Sequence, residues 1–473
     1  MRRVLVALLV ALLAVAGVLA GLDVAGQLPG GLVADPTPAP TPTRPLDPSP
    51  VAAGSVLPPE PTSTATEPPP VLPAVPEAAL RRVLSSGDLG PDPGALVLDV
   101  ATGEPLLAVD PATPRTPASI AKLATGAAAL RRLDPGSRLR TVVCRGETPG
   151  SLVLVGAGDA SLLTRRAGTD PYADRATLTE LADRTATALR ADGAGGVSGV
   201  SLAVDDSLFE GPAVSPDWPA SYVGSGVVSP VSALSVDAGR VSIDSDVRST
   251  DPAVAAGETF ARLLSRRGID VEGEVRRAGA PTREGREVAA VESPTLAQLV
   301  ELMLQTSDND LAEALLRLAA VGSDRPGTFV DGRAVVGEVL DEVVGPGSGA
   351  DQAELLDGSG LARGSVVPPE VLARLLALAA GGDRGLWHLV TGLPVAGFTG
   401  TLSARFLSDV PPTSPAAGEV RAKTGTLTGV STLAGAATVD GRPVVLVVMG
   451  NQVTDTLAAR AALDRFATLV ATA

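Results

Sequence analysis

The sequence predicts a mixed α/β (α+β) fold, an antiparallel sheet flanked by helices. Two apolar, strand-like hairpins lie far apart in the chain, at 95–109 and 431–449. Amphipathic helical patterns lie between and after them, and the stretch from Glu77 to the C-terminus is long enough for two domains or more.

In order, Glu77 to Leu84 has a helical pattern. Ala95 to Val100 and Pro105 to Val109 alternate as a hairpin turning at Gly103. Thr116-Pro117 offers an N-cap followed by a first-turn proline, so a helix should run from there towards Leu133 and stop at Asp134-Pro135-Gly136. Leu296, Leu299, Leu302 and Met303 mark an amphipathic helix from Leu296 to Gln305. A second apolar helix follows from Asp310 to Leu318. Ser431 to Val439, a turn at Asp440-Gly441, and Pro443 to Met449 form an antiparallel hairpin. A last helix, about Thr454 to Thr472, should cover one face of that sheet.

The N-terminus reads as an address. Met1-Arg2-Arg3 precedes an apolar run from Val4 to Leu22, the layout of an export signal, with Val18-Leu19-Ala20 as a small-residue cleavage site. The run is also near the ~20 residues that span a bilayer, so residues 1–34 are a cleaved signal peptide or a retained membrane anchor. The expected location is therefore the extracytoplasmic envelope, with membrane contact only through this segment. Residues 35–76 hold 15 of the 41 prolines and no aromatic residue, and read as a disordered, semi-extended tether.

Composition narrows the chemistry. A net charge of −15 without a basic stripe argues against nucleic-acid binding. Cys144 and His388 are the single cysteine and histidine, which excludes the usual zinc-ligand spacings and leaves His388 as a structural residue. No metal or cofactor is expected. Against 36 arginines the chain keeps two lysines, Lys122 and Lys423, and only two asparagines, Asn309 and Asn451. A lysine can lose its proton when buried and act as a base, whereas an arginine cannot. Lys122 stands three residues after Ser119, within reach of its hydroxyl on one helical face. The helix start there favours a developing oxyanion. Ser307-Asp308-Asn309 lies between two helices, where Ser307 and Asn309 can face a cleft while Asp308 fixes the loop. Lys423-Thr424-Gly425-Thr426 opens a strand, and Gly425 would let a substrate backbone lie close.

These three motifs, in this order, resemble those of the penicillin-recognising serine acyltransferases, which include the penicillin-binding proteins and serine β-lactamases. The 185 residues from Lys122 to Ser307 resemble the large insertion of the class C low-molecular-mass penicillin-binding proteins, the D-alanyl-D-alanine carboxypeptidase/endopeptidase family of penicillin-binding protein 4 type. Val155 to Leu162, Pro230 to Val236, Asp357 to Leu361, and Leu393 to Leu402 resemble further blocks of that family in the same order. Two departures stand out. Only Asp237 to Asp251 occupies the place of a nested second insert, and Ala362 stands where a serine is expected.

The resemblance implies a transpeptidase-like catalytic domain built from 77–136 and 288–473, with an inserted domain at 137–287. It implies Ser119 as nucleophile, Lys122 as base, Ser307 as proton relay, Asn309 on the substrate amide and Lys423 as a fixed positive charge. Thr424, Gly425 and Thr426 would bind substrate. The implied substrates are peptidoglycan stem peptides, with β-lactams as covalent inhibitors. A serine β-lactamase or esterase on the same scaffold, or a non-catalytic wall-binding protein, remain the alternatives.

Overall fold

Residue alternation in the central strands explains the layered architecture better than any single contact. The structure is a computed structural model and describes residues 72–166, 175–191, 199–243, 245–278, 286–383, 385–409 and 412–473. The N-terminal segment 1–34 and the tether up to residue 71 lie outside the described residues.

The first sheet has the order β2-β1-β10-β9-β8, from β1 (Gly94–Asp99), β2 (Pro105–Val109), β8 (Arg421–Leu427), β9 (Val430–Val439) and β10 (Arg442–Asn451). Every pairing in it is antiparallel. The two hairpins read from sequence are present. The β9–β10 turn places Asp440 and Gly441 both at positive φ (49° and 76°), which favours these residue types. β1 and β10 are buried on both faces, as their unbroken apolar runs require.

One face, carrying Val97, Val444, Leu446 and Val448, packs against α1 (Glu77–Leu84) and the C-terminal helix Thr456–Ala471, through Leu80, Leu84, Leu463 and Phe466. The last helix thus covers one face of the sheet as expected, its start capped by Asp455. The other face, with Leu96, Leu98, Val445 and Val447, meets a helical layer. That layer contains α2 (Lys122–Arg132), the helices Leu296–Thr306 and Asn309–Val321, and two more at Phe329–Val344 and Pro369–Ala380.

A second sheet has the order β6-β5-β4-β3-β7, with β3 (Arg138–Arg145), β4 (Ser151–Val155), β5 (Val200–Asp205), β6 (Val271–Arg277) and β7 (Glu287–Thr295). It is mixed: β4–β5 and β5–β6 run parallel, while β3 pairs antiparallel with β4 and β7. The helices Leu178–Leu189 and Pro252–Ser265 make the crossovers that parallel pairing needs, and they pack on one face of the sheet. The described residues form one compact unit that contains both sheets. Among the described residues, no helix is long and apolar enough to cross a membrane.

Candidate active site

Ser119 lies in a 3₁₀ turn, Ala118–Ala121, that runs directly into α2. The expected Thr116 cap does not form, because Pro117 precedes the turn and no side chain caps it. Thr116 is held instead by Asn451, whose Oδ1 accepts from the Thr116 N–H at 2.9 Å and whose Nδ2 donates to its carbonyl at 3.2 Å. The Thr432 hydroxyl donates to the Pro117 carbonyl at 2.8 Å. Ala118 is thereby kept at φ 49°, a left-handed conformation that costs a non-glycine residue about 1–3 kcal/mol and persists where the surroundings over-determine it. Gly360 helps, since a Cβ there would lie 2.0 Å from the Ala118 carbonyl oxygen.

Lys122 is fully buried. Its Nζ lies 3.1 Å from Ser119 Oγ and donates to Asn309 Oδ1 and to the Ser359 carbonyl, each at 2.8 Å. Neither of those two oxygens can donate. A neutral amine therefore spends its two hydrogens on them and turns its lone pair to the serine hydroxyl. Asn309 Nδ2 donates to the Val227 carbonyl at 2.9 Å, which fixes the orientation of the amide. The Ser307-Asp308-Asn309 segment bends as its positions demand. Ser307 is the left-handed residue ending one helix (φ 59°), and Asp308 caps the next by accepting from the Leu311 N–H. Asp308 thus fixes the loop, as expected.

Lys423 is also fully buried; its Nζ donates to Ser307 Oγ and to the Thr424 carbonyl, both at 2.8 Å. Thr424 Oγ1 meets Thr401 Oγ1 at 3.0 Å, and Thr426 is exposed along edge strand β8. A Cβ on Gly425 would lie 2.1 Å from Thr432 Oγ1, 2.7 Å from the Pro117 carbonyl and 3.1 Å from the Ser119 nitrogen. Only glycine lets this strand lie against the nucleophile's turn. All eight sequence-selected residues thus lie on adjoining elements.

Burial governs the electrostatics of both lysines. Burial draws the Lys122 amine down to about 8, and Glu313, Asp357, Asp308 and Asp310 oppose that fall. Desolvation is the largest cause, in keeping with a lysine that loses its proton when buried. Lys423 itself is lowered well below its ordinary value, by burial first and by Lys122 second.

Several polar groups at this site were not chosen from sequence. Glu313 is fully buried and pushed up to about 8, by burial and by Asp357. Asp357 is also raised by burial, and accepts from Trp218 Nε1 and the N–H groups of Gly360 and Ala362. Glu313 stands one turn after Asn309, and Asp357, Ser359 and Thr401 lie in blocks already singled out. Asn451 was conspicuous only by rarity. His388 pairs with Glu301 at 2.7 Å, a structural contact, and Cys144 is buried in the second sheet. Among the described residues, no group of three or more His, Cys, Asp or Glu side chains could hold a metal ion.

The sequence profile of the D-Ala-D-Ala carboxypeptidase 3 (S13) family matches residues 77–247 and 241–472. The chain belongs to this family. It is 35% identical over 399 residues to carboxypeptidase DacB of Mycolicibacterium smegmatis, covering 83% of each protein. In fold it is similar to penicillin-binding protein 4 (dacB) from Haemophilus influenzae, with TM-score 0.64 and 22% identity over 82% of this chain and 97% of that one. A structure of that protein complexed with a β-lactam gives TM-score 0.61 and 23% identity, over 83% and 97%.

Proposed function

We infer that this S13 family member is a serine D-alanyl-D-alanine carboxypeptidase of the cell envelope, acting on peptidoglycan stem peptides through an acyl-enzyme on Ser119. The observation that carries the reading is the buried Lys122 amine, 3.1 Å from Ser119 Oγ with both its other partners acceptors.

Ser119 Oγ attacks the carbonyl between the two terminal D-alanines, and its proton passes to the Lys122 lone pair. The backbone N–H groups of Ser119 and Thr426 hold the oxyanion, a device worth about 3–4 kcal/mol per donor. The C–N bond breaks as Ser307 relays the proton held at Lys122 to the departing amine, and water, giving up a proton to Lys122 in turn, then releases the acyl group from Ser119. Asn309 holds the substrate amide. The hydroxyls of Thr424 and Thr426 receive the terminal carboxylate, whose charge favours the protonated form of Lys423. The same steps cut a cross-link when the leaving amine belongs to another stem, giving D,D-endopeptidase activity. A β-lactam acylates Ser119 and leaves slowly. We assign 137–287 as an inserted domain, and residues 1–76 as an export segment and tether that place the enzyme outside the cytoplasm.

Labelling with a fluorescent penicillin, followed by mass analysis of a cross-linked muropeptide, tests this. Wild type should label and release D-alanine, and Ser119→Ala should do neither. Rapid turnover of a chromogenic β-lactam would instead mark a β-lactamase, and an unlabelled wild type a non-catalytic wall-binding protein.

A further inference from the structure

The general base is oriented by a carbonyl that is itself held in place from behind. Lys122 donates to the Ser359 carbonyl at 2.8 Å, and the backbone carrying that carbonyl is gripped from two helices. From α2, one turn beyond Lys122, the Thr125 hydroxyl donates to the Gly358 carbonyl at 2.7 Å. From the helix Asn309–Val321, the Glu313 carboxylate accepts the Gly358 N–H on Oε2 at 3.0 Å and the Ser359 N–H on Oε1 at 2.8 Å. Glu313 has no exposed surface, so it cannot itself reach substrate or water.

Both carboxylate oxygens take backbone donors, which favours the ionised acid and opposes the burial that pushes it up to about 8. The same helix carries Asn309, which receives the other Lys122 hydrogen, one turn earlier. One helix therefore controls both acceptors that aim the amine, Asn309 directly and Ser359 through Glu313.

We propose that Glu313 is the positioning residue of the general base: its buried carboxylate fixes the Ser359 carbonyl that aims Lys122 at Ser119, and when ionised its charge tunes the amine. The proposal rests on the reading of Lys122 as base.

The surrounding charges make Glu313 the natural tuning group. Lys122 is influenced by Glu313, Asp357, Asp308 and Asp310, with Glu313 foremost among the carboxylates. Lys423 on β8 is the other amine at the site. Around Glu313 stand Asp357, from the loop, and the buried Arg317 guanidinium on its own helix, 4.1 Å over the Phe329 ring. Asp310 is tied elsewhere, to Arg248 at 3.2 Å and to the Ser229 N–H at 2.7 Å. Glutamine at 313 removes the charge and can accept only one of the two N–H groups. The ammonium form of Lys122 then loses its strongest support.

The chain's two lysines make the test direct, because selective ¹³C-lysine labelling gives two side-chain signals in the full-length enzyme, assigned with Lys423→Arg. In Glu313→Gln the Lys122 titration midpoint should fall by about one unit or more, and the acidic limb of the penicillin acylation rate should move to lower pH with it. The plateau rate should fall about tenfold or more as the amine loses its aim. Glu313→Asp keeps the charge but shortens the reach, so its midpoint should hold while its rate falls. A folded Glu313→Gln with an unmoved midpoint overturns the proposal, whatever its rate. Should that variant not fold, a wild-type rate in Glu313→Asp overturns it equally. If wild type acylates, Lys122→Arg does not, and Glu313→Gln matches wild type, the proposal fails alone. If Lys122→Arg still acylates, the base reading fails and this proposal with it.

Discussion

A lysine is a useful base only if it is neutral, close to the nucleophile and facing it. Lys122 meets the first condition through burial, which brings its amine down to about 8. It meets the others through two acceptors that consume its hydrogens. The sign of the resulting pH dependence follows directly. Below about 8 the amine is protonated in the free enzyme and has no lone pair to offer; above it the neutral form prevails. The second-order rate of penicillin acylation should therefore climb as pH rises through this range and level off above it, in stopped-flow traces of wild type. A rate that is flat from pH 6 to 9 would remove Lys122 from the proton transfer.

At the level of elements, the site depends on an edge strand lying against a strained turn. β8 contributes Lys423 to one side of the cleft and, through Gly425, comes close enough to touch the Ser119 backbone. Gly425→Ala should push the strand off the turn, since its Cβ would fall 2.1 Å from Thr432 Oγ1 and 2.7 Å from the Pro117 carbonyl. The expected outcome is a loss of acylation by about a hundredfold, because misplacement near 1 Å has that effect. Melting curves should show the fold retained, which separates displacement from unfolding.

Much of this level was legible in the sequence, and the reasons are specific. The hairpins at 95–109 and 431–449 announce themselves by turn residues and apolar runs. Lys122 and Lys423 stand out because arginine fills nearly every other basic position. The Thr116 cap was misread because Pro117 starts a 3₁₀ turn whose support comes from Asn451, far along the chain. Glu313 was passed over because, in an apolar helical pattern, a lone acid reads as a solvent-facing break. Only tertiary packing brings the N–H groups of 358 and 359 to it. The parallel pairings of the second sheet likewise involve strands whose partners no local pattern names.

Across the whole molecule, the sheet that carries the site is clamped between two apolar layers. Among the described residues, the layers are drawn from Val75 onward. A protein starting at Leu72 should therefore match the full chain in melting midpoint and in fluorescent-penicillin labelling. A clear drop in either would show that residues 1–71 contribute to the folded body.

The register Gly94↔Met449 joins a strand near the beginning of the folded part to one near its end. During synthesis or export, then, β1 can pair with β2 at once, but its other edge must wait until almost the entire polypeptide has emerged. Any premature stop before Arg442 leaves that apolar edge of β1 open, so truncated copies are destined for aggregation or proteolysis and never become weakly active enzymes.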